Sequence, residues 1–189
     1  YPQILAGEAV DLGASLESTY NPLIRRLNDL PCVFIAAVNG VAAGAGIGLV
    51  LAADIVIAAR EARFLLAFGK VGLGPDAGVS WHLPEHIGSR RALGLMLTGE
   101  ARGAEEAREW GLVWRVVEAD KLADAANELA HQLADGSQDA QLAAKQLIRH
   151  RSASLPDQLD RERDAPYALG RTEFYREAVL RFAAAKNGR

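Results

Sequence analysis

The chain has 189 residues, half of them hydrophobic and 24% charged, with a net charge of −3. That is enough apolar material for one sizeable core, while so weak an acidic balance leaves no electrostatic footprint for nucleic acid or an anionic membrane. Cys32 is the only cysteine, which excludes an intrachain disulfide framework, and no apolar run reaches membrane-spanning length. With no charged segment followed by an apolar one at its start, the chain is expected to be a soluble cytoplasmic protein with neither nucleic-acid nor membrane partners.

In chain order, residues 1–12 carry Pro2 and Gly7 without periodicity and are expected to form a loop. Residues 15–27 place Leu16, Tyr20, Leu23, Ile24 and Leu27 on one face of an amphipathic helix, with Pro22 as its irregularity. Residues 32–38 are apolar and β-branched and predict a buried strand; after the glycine-rich stretch from Asn39, residues 47–53 suit a short buried helix. Residues 54–59 predict a second strand and 62–66 a third. Pro75 and the glycines at 69, 72, 74 and 78 predict a long loop before residues 81–84. Helices are expected at 89–97 and 104–109, then a strand at 112–117. From 119 the pattern is helical, at 122–133, 140–149, 155–169 and 173–185, punctuated by Gly136 and residues 152–156.

The strand, glycine turn and helix start around Ala45 invite a chemical reading. Gly44 and Gly46 flank Ala45 where backbone N–H groups lack intrahelical partners, and little side-chain bulk shields them. Such donors attract negative charge, and a thioester carbonyl becoming an enolate would find half of an oxyanion hole there. From the glycines alone, a turn that only lets a helix pack tightly on a strand is the stronger reading. Asp76 after Pro75 is, by itself, a turn residue bonding its own backbone. Ser80 and His82 join Asp76 as residue types of a nucleophilic triad, but no Gly-x-Ser-x-Gly elbow surrounds Ser80. His82 and His86 lie four apart with Pro84 between them and no third ligand evident, so surface histidines and no metal are expected. Asp54 reads as a strand-start residue, and Trp81, Trp110 and Trp114 as core or interface packing.

Asn39-Gly40, Gly44-Ala45-Gly46, Asp54-Ile55, the run Gly72-Leu73-Gly74-Pro75-Asp76-Ala77-Gly78, Leu97-Thr98-Gly99, residues 104–107 and Trp110-Gly111-Leu112-Val113 occur in that order. Over residues 30–117 they resemble the enoyl-CoA hydratase/isomerase (crotonase) superfamily. Residues 20–27, 39–46, 55–60 and 109–114, with Gly170-Arg171-Thr172 and Tyr175-Arg176-Glu177, narrow the resemblance to the ring-epoxide isomerases of bacterial phenylacetate degradation.

The resemblance implies an α/β fold, a crotonase-like spiral of strand-strand-helix turns with a C-terminal helical region. It implies a core over 1–118, a helical trimerisation or lid region over 119–189, and a homotrimer or a dimer of trimers. Relatives begin with two strand-rich turns that supply the other oxyanion N–H and hold the nucleotide of coenzyme A. No counterpart is present, so the chain is expected to be a piece of a longer protein.

Hydratases of this kind position water with two glutamates, and their places are taken here by Gly48 and Phe68, neither of which carries a proton. Asp76 is then the implied single base, with the Ala45 N–H as oxyanion donor. Ala43, Gly44, Gly48, Ala67, Phe68 and Val71 are the implied substrate-binding residues; Leu65 and Leu66 with Ala67, Phe68 and Val71 would raise the pKa of a carboxylate there. Phe182 and Lys186 resemble tail residues that reach coenzyme A on a neighbouring subunit, against the alternative of an ordinary amphipathic helix. The implied activity is acyl-CoA isomerisation through a thioester enolate, ring-1,2-epoxyphenylacetyl-CoA to oxepin-CoA, with the coenzyme A thioester as substrate and no cofactor. Alternatives are 3-enoyl/2-enoyl-CoA isomerisation or weak enoyl-CoA hydration in fatty-acid oxidation, and a non-catalytic acyl-CoA-binding paralogue.

Overall fold

Parallel strand pairing repeats along the chain in this computed structural model, which describes residues 6–7 and 10–187; most of the loop expected at 1–12 lies outside the described residues. Strands β1 (Ile35–Val38) and β2 (Val41–Ala43) lead into helix α3 (Ala45–Leu51), and β3 (Ile55–Ala59) and β4 (Arg63–Leu65) repeat the course. β1 pairs with β3 from Ile35↔Ile55 to Val38↔Ala58, and β2 pairs with β4 from Val41↔Arg63 to Ala43↔Leu65, both parallel. Each strand therefore stacks on its counterpart one turn later, which is the spiral the resemblance implied. β5 (Ala101–Gly103) closes one sheet in the order β2-β4-β5 by an antiparallel pairing, and β6 (Arg115–Val117) closes the other in the order β1-β3-β6. The Asp54 carboxylate accepts the Phe34 N–H at 2.8 Å and ties the starts of successive turns together.

Among the described residues, two helices precede the spiral where one was expected at 15–27. Helix α1 (Leu12–Ser18) is capped by the Asp11 carboxylate, which accepts the Ala14 N–H, and α2 (Tyr20–Asn28) follows a break at Thr19 with φ −127° and ψ −77°. The Ser18 and Thr19 hydroxyls donate back to carbonyls one turn earlier and compete with the helical ladder. Pro22, lacking an N–H, falls in the first turn of α2, where none is needed.

The interior of the spiral is apolar and close-packed. Ile47, Ile57, Phe64, Leu66, Val79 and Leu83 have no exposed surface. They are joined by Ala92 and Leu95 of α5 (Ser89–Thr98) and by Ala104 and Ala107 of α6 (Ala104–Glu109). The long loop expected from Gly69 to before residues 81–84 is instead a 3-10 turn (Phe68–Val71), a shorter loop, and helix α4 (Val79–Ile87) containing Pro84. Val79, Leu83 and Ile87 are all buried on one face of α4, and that packing outweighs the single helical hydrogen bond Pro84 removes.

The chain divides into two compact units, the first holding the residues up to Leu30 with Phe34–Glu128, the second Pro31–Val33 with the residues from Leu129 on. Helix α7 (Leu122–Ala134) crosses that division; α8 (Gln138–Arg149), α9 (Leu155–Leu169) and α10 (Glu173–Asn187) follow. Ser137 and Ser154 cap α8 and α9 through their hydroxyls. Within the second unit the buried Lys145 ammonium donates to the Cys32 carbonyl at 2.9 Å, drawing residues 31–33 into the helical assembly. No helix among the described residues is long and apolar enough to cross a membrane.

Candidate active site

The glycine turn is built by backbone conformation. Gly44 stands at φ 52°, ψ −131°, a combination open to glycine and hostile to residues with a Cβ, and it delivers the chain from β2 into α3 with no side chain capping the helix. Ile47 N–H turns back to the Gly44 carbonyl at 3.1 Å, while no described group accepts from the Ala45 N–H. Beyond the adjoining residues and the helix's own backbone, no described atom lies within 4 Å of where a Cβ on Gly44 or Gly46 would stand. Tight helix-on-strand packing is therefore not what these two glycines serve, and the turn borders open space.

Gly48, one turn further along α3 on the same face as Ala45, is the opposite case. A Cβ there would lie 2.7 Å from the Cβ of Ala77. Ala77 packs with Ile24 and Ala52, and Ala45 and Leu49 border the same cluster. The loop that carries Asp76 thus lies directly on the helix that begins at Ala45.

Asp76 is half-buried, and its Oδ1 is enclosed without a hydrogen-bond partner. Its main-chain carbonyl, not its carboxylate, accepts the Val79 N–H at 2.9 Å, so the side chain is not spent on its own turn. Loss of hydration pushes its pKa above the ordinary aspartate value. The next residue, Ala77, has φ +49°, a left-handed conformation found at no other non-glycine among the described residues. Ala77 was read from the sequence only as a member of the 72–78 run and not as a site residue.

The remaining candidates spread more widely. Ala43 ends β2 with an exposed side chain, Ala67 is half-buried before the 3-10 turn, Phe68 is enclosed in the core, and Val71 is 69% exposed. Phe182 and Lys186 are exposed on α10 in the second unit, which also holds a cavity of about 540 Å³ lined by Arg171, Thr172, Tyr175, Arg176, Val179 and Leu180. His82 and His86 stack on α4 with ring centroids 6.5 Å apart, and His86 Nε2 lies 3.3 Å from the Leu51 carbonyl. Among the described residues, no cluster of three or more histidine, cysteine or carboxylate side chains is arranged to hold a metal ion. Trp81 and Trp114 are exposed, whereas Trp110 packs on the core with the guanidinium groups of Arg91 and Arg102 about 5 Å from its ring.

The Enoyl-CoA hydratase/isomerase family matches residues 3–187. The chain is 50% identical over 182 residues to 1,2-epoxyphenylacetyl-CoA isomerase of Escherichia coli, covering 96% of this chain and 70% of that one. The solved enoyl-CoA hydratase of Bacillus anthracis superposes with a TM-score of 0.89 at 32% identity, covering 95% of this chain and 70% of that chain. An enoyl-CoA hydratase from a Polaromonas species gives 0.88 at 34% identity, with 97% and 72% covered. With the spiral of parallel turns, the glycine turn and the Asp76 loop laid on one helix, these likenesses place the chain in the enoyl-CoA hydratase/isomerase family.

Proposed function

We propose that the protein is an acyl-CoA isomerase in which Asp76 moves one proton through an enolate stabilised by the Ala45 N–H. The observation that carries this reading is the Asp76 oxygen, buried without a partner, on a loop packed against the helix that starts at Ala45. Removing the α-proton of a thioester leaves an electron pair that becomes the enolate. A donor at that oxygen contributes about 10²–10³ in rate, and a positioned base about 10²–10⁴. A carboxylate short of hydration is a stronger base than one in water.

The likeness to 1,2-epoxyphenylacetyl-CoA isomerase favours a ring-epoxide thioester as substrate. The α-carbon would give its proton to Asp76, the bond joining the two epoxide carbons would break as the ring expands to the seven-membered oxygen heterocycle, and the same proton would return to a ring carbon. Atoms and electrons balance within the substrate, so the reaction asks for no cofactor and no water. Gly48 and Phe68, in place of two acid/base groups, support a proton shift over hydration. Ala43, Gly44, Ala67 and Val71 are proposed to border the acyl group, and Phe182 and Lys186 to meet coenzyme A bound to another copy in a homotrimer or a dimer of trimers. A 3-enoyl thioester would be served by the same residues.

The test is to supply the purified full-length protein with the ring-epoxide thioester and with a 3-enoyl-CoA, using Asp76→Asn as control. Preferred turnover of the first, lost in the variant, supports the proposal; preference for the second moves the assignment to enoyl-CoA isomerisation. Turnover of neither would leave an acyl-CoA-binding role, and full activity in the variant would remove Asp76 as base.

A further inference from the structure

We propose that Gly48 is a positioning residue, whose missing side chain lets Ala77 close onto α3 and so fixes the direction of the Asp76 carboxylate; this rests on the reading of Asp76 as the base. A Cβ on Gly48 would meet the Ala77 Cβ at 2.7 Å and its carbonyl oxygen more closely still. Both atoms belong to the residue bonded to Asp76, and neither can rotate away as the end of a long side chain would. Ala77 is 3% exposed and packs with Ile24 of α2 and with Ala52, one turn beyond Gly48, so it has little room to withdraw. The chain on either side is also committed: Gly78 is left-handed at φ 77°, and Val79, fully buried, opens α4. Held between α3 and α4, Ala77 keeps φ +49°, and the carboxylate before it inherits that orientation. The contrast with Gly44 and Gly46, which face open space, separates this requirement from that of the glycine turn.

In Gly48→Ala the loop must retreat by about 1 Å, a displacement that costs on the order of 10² in rate when it moves a catalytic group. Steady-state kinetics on the full-length protein, with the thioester it turns over best, should show kcat reduced by roughly that factor and KM changed less than about threefold. Adding Ala77→Gly removes one opposing Cβ and frees the adjacent carbonyl to rotate, and should restore kcat at least about tenfold. In an Asp76→Asn background, Gly48→Ala should cost less than about threefold more, because its effect passes through that carboxylate.

Wild-type kcat in a folded Gly48→Ala protein, or a full additional loss in the Asp76→Asn background, would overturn the positioning role. If Asp76→Asn is inactive while Gly48→Ala keeps its kcat, only the positioning role fails; if Asp76→Asn turns over normally, the base assignment fails first and the positioning role with it. Should Gly48→Ala not fold, Ala77→Gly alone relaxes the strained φ and is expected to lower kcat about three- to tenfold at constant KM. An unchanged kcat in that variant would overturn the proposal.

Discussion

Asp76 and Ala77, bonded neighbours, both stand in conformations or surroundings that oppose folding: one has a carboxylate oxygen enclosed without a partner, the other a left-handed backbone at φ +49°. Cost concentrated in two adjacent residues is what the proposed role of Asp76 as base calls for, stability being exchanged for reactivity. Asp76→Asn should therefore lower kcat by about 10²–10⁴ while raising the thermal midpoint at pH 7. A variant equally stable and equally active would break the link.

The pH dependence carries its own sign. Burial raises the native Asp76 pKa, so the folded chain holds this proton more tightly than the unfolded one. Its contribution to stability is fully present below the ordinary aspartate pKa of about 3.9 and is lost as pH rises through the raised native value. The stability advantage of Asp76→Asn should open across that window and vanish at lower pH, as read by melts over a pH series. Activity runs the other way: kcat/KM should climb with the ionised fraction of Asp76, along an acid limb lying above the usual aspartate range.

Ala45→Pro tests the proposed oxyanion donor. Ala45 is the first helical residue of α3, the position at which proline is best tolerated, and its N–H has no acceptor among the described residues. The substitution should leave the far-ultraviolet circular dichroism intact and reduce kcat by about 10²–10³. Wild-type turnover would show that this amide does not meet the developing charge.

Urea denaturation should separate the core from the surface. Phe64 is fully enclosed in the spiral, and Phe64→Ala should cost about 3–5 kcal/mol. Arg60 bonds Glu105 and Glu118 at 2.5 and 2.7 Å, but all three side chains are about half exposed, so Arg60→Ala should hardly move the midpoint.

What could be read before the coordinates followed from interactions close in sequence. The runs that become β1 and β3 are continuous apolar stretches of strand length, β3 being buried from Val56 to Ala59, and the 104–109 helix shows its period plainly. β2 and β5, three residues each, are too short for alternation to register, and they exist because β4 pairs with both. Helix α4 was missed because Pro75 and the glycines up to Gly78 predicted a loop there; the burial of Val79, Leu83 and Ile87 decided the matter, and burial is a tertiary quantity. At the candidate site, residue types pointed to Asp76 and Ala45 through the resemblance. The contact of Ala77 with Gly48 had no local sign, because it joins segments brought together only by the spiral.

The tripeptide Pro31–Val33 belongs with the C-terminal helices, gripped at Pro31 by Gln138 and at Cys32 by Lys145. An expression boundary drawn at residue 128 would thus not liberate a self-sufficient helical module. The excised piece would retain the Lys145 ammonium without the Cys32 carbonyl it now bonds, and would regain that acceptor only if supplied in trans with a peptide containing residues 31–33.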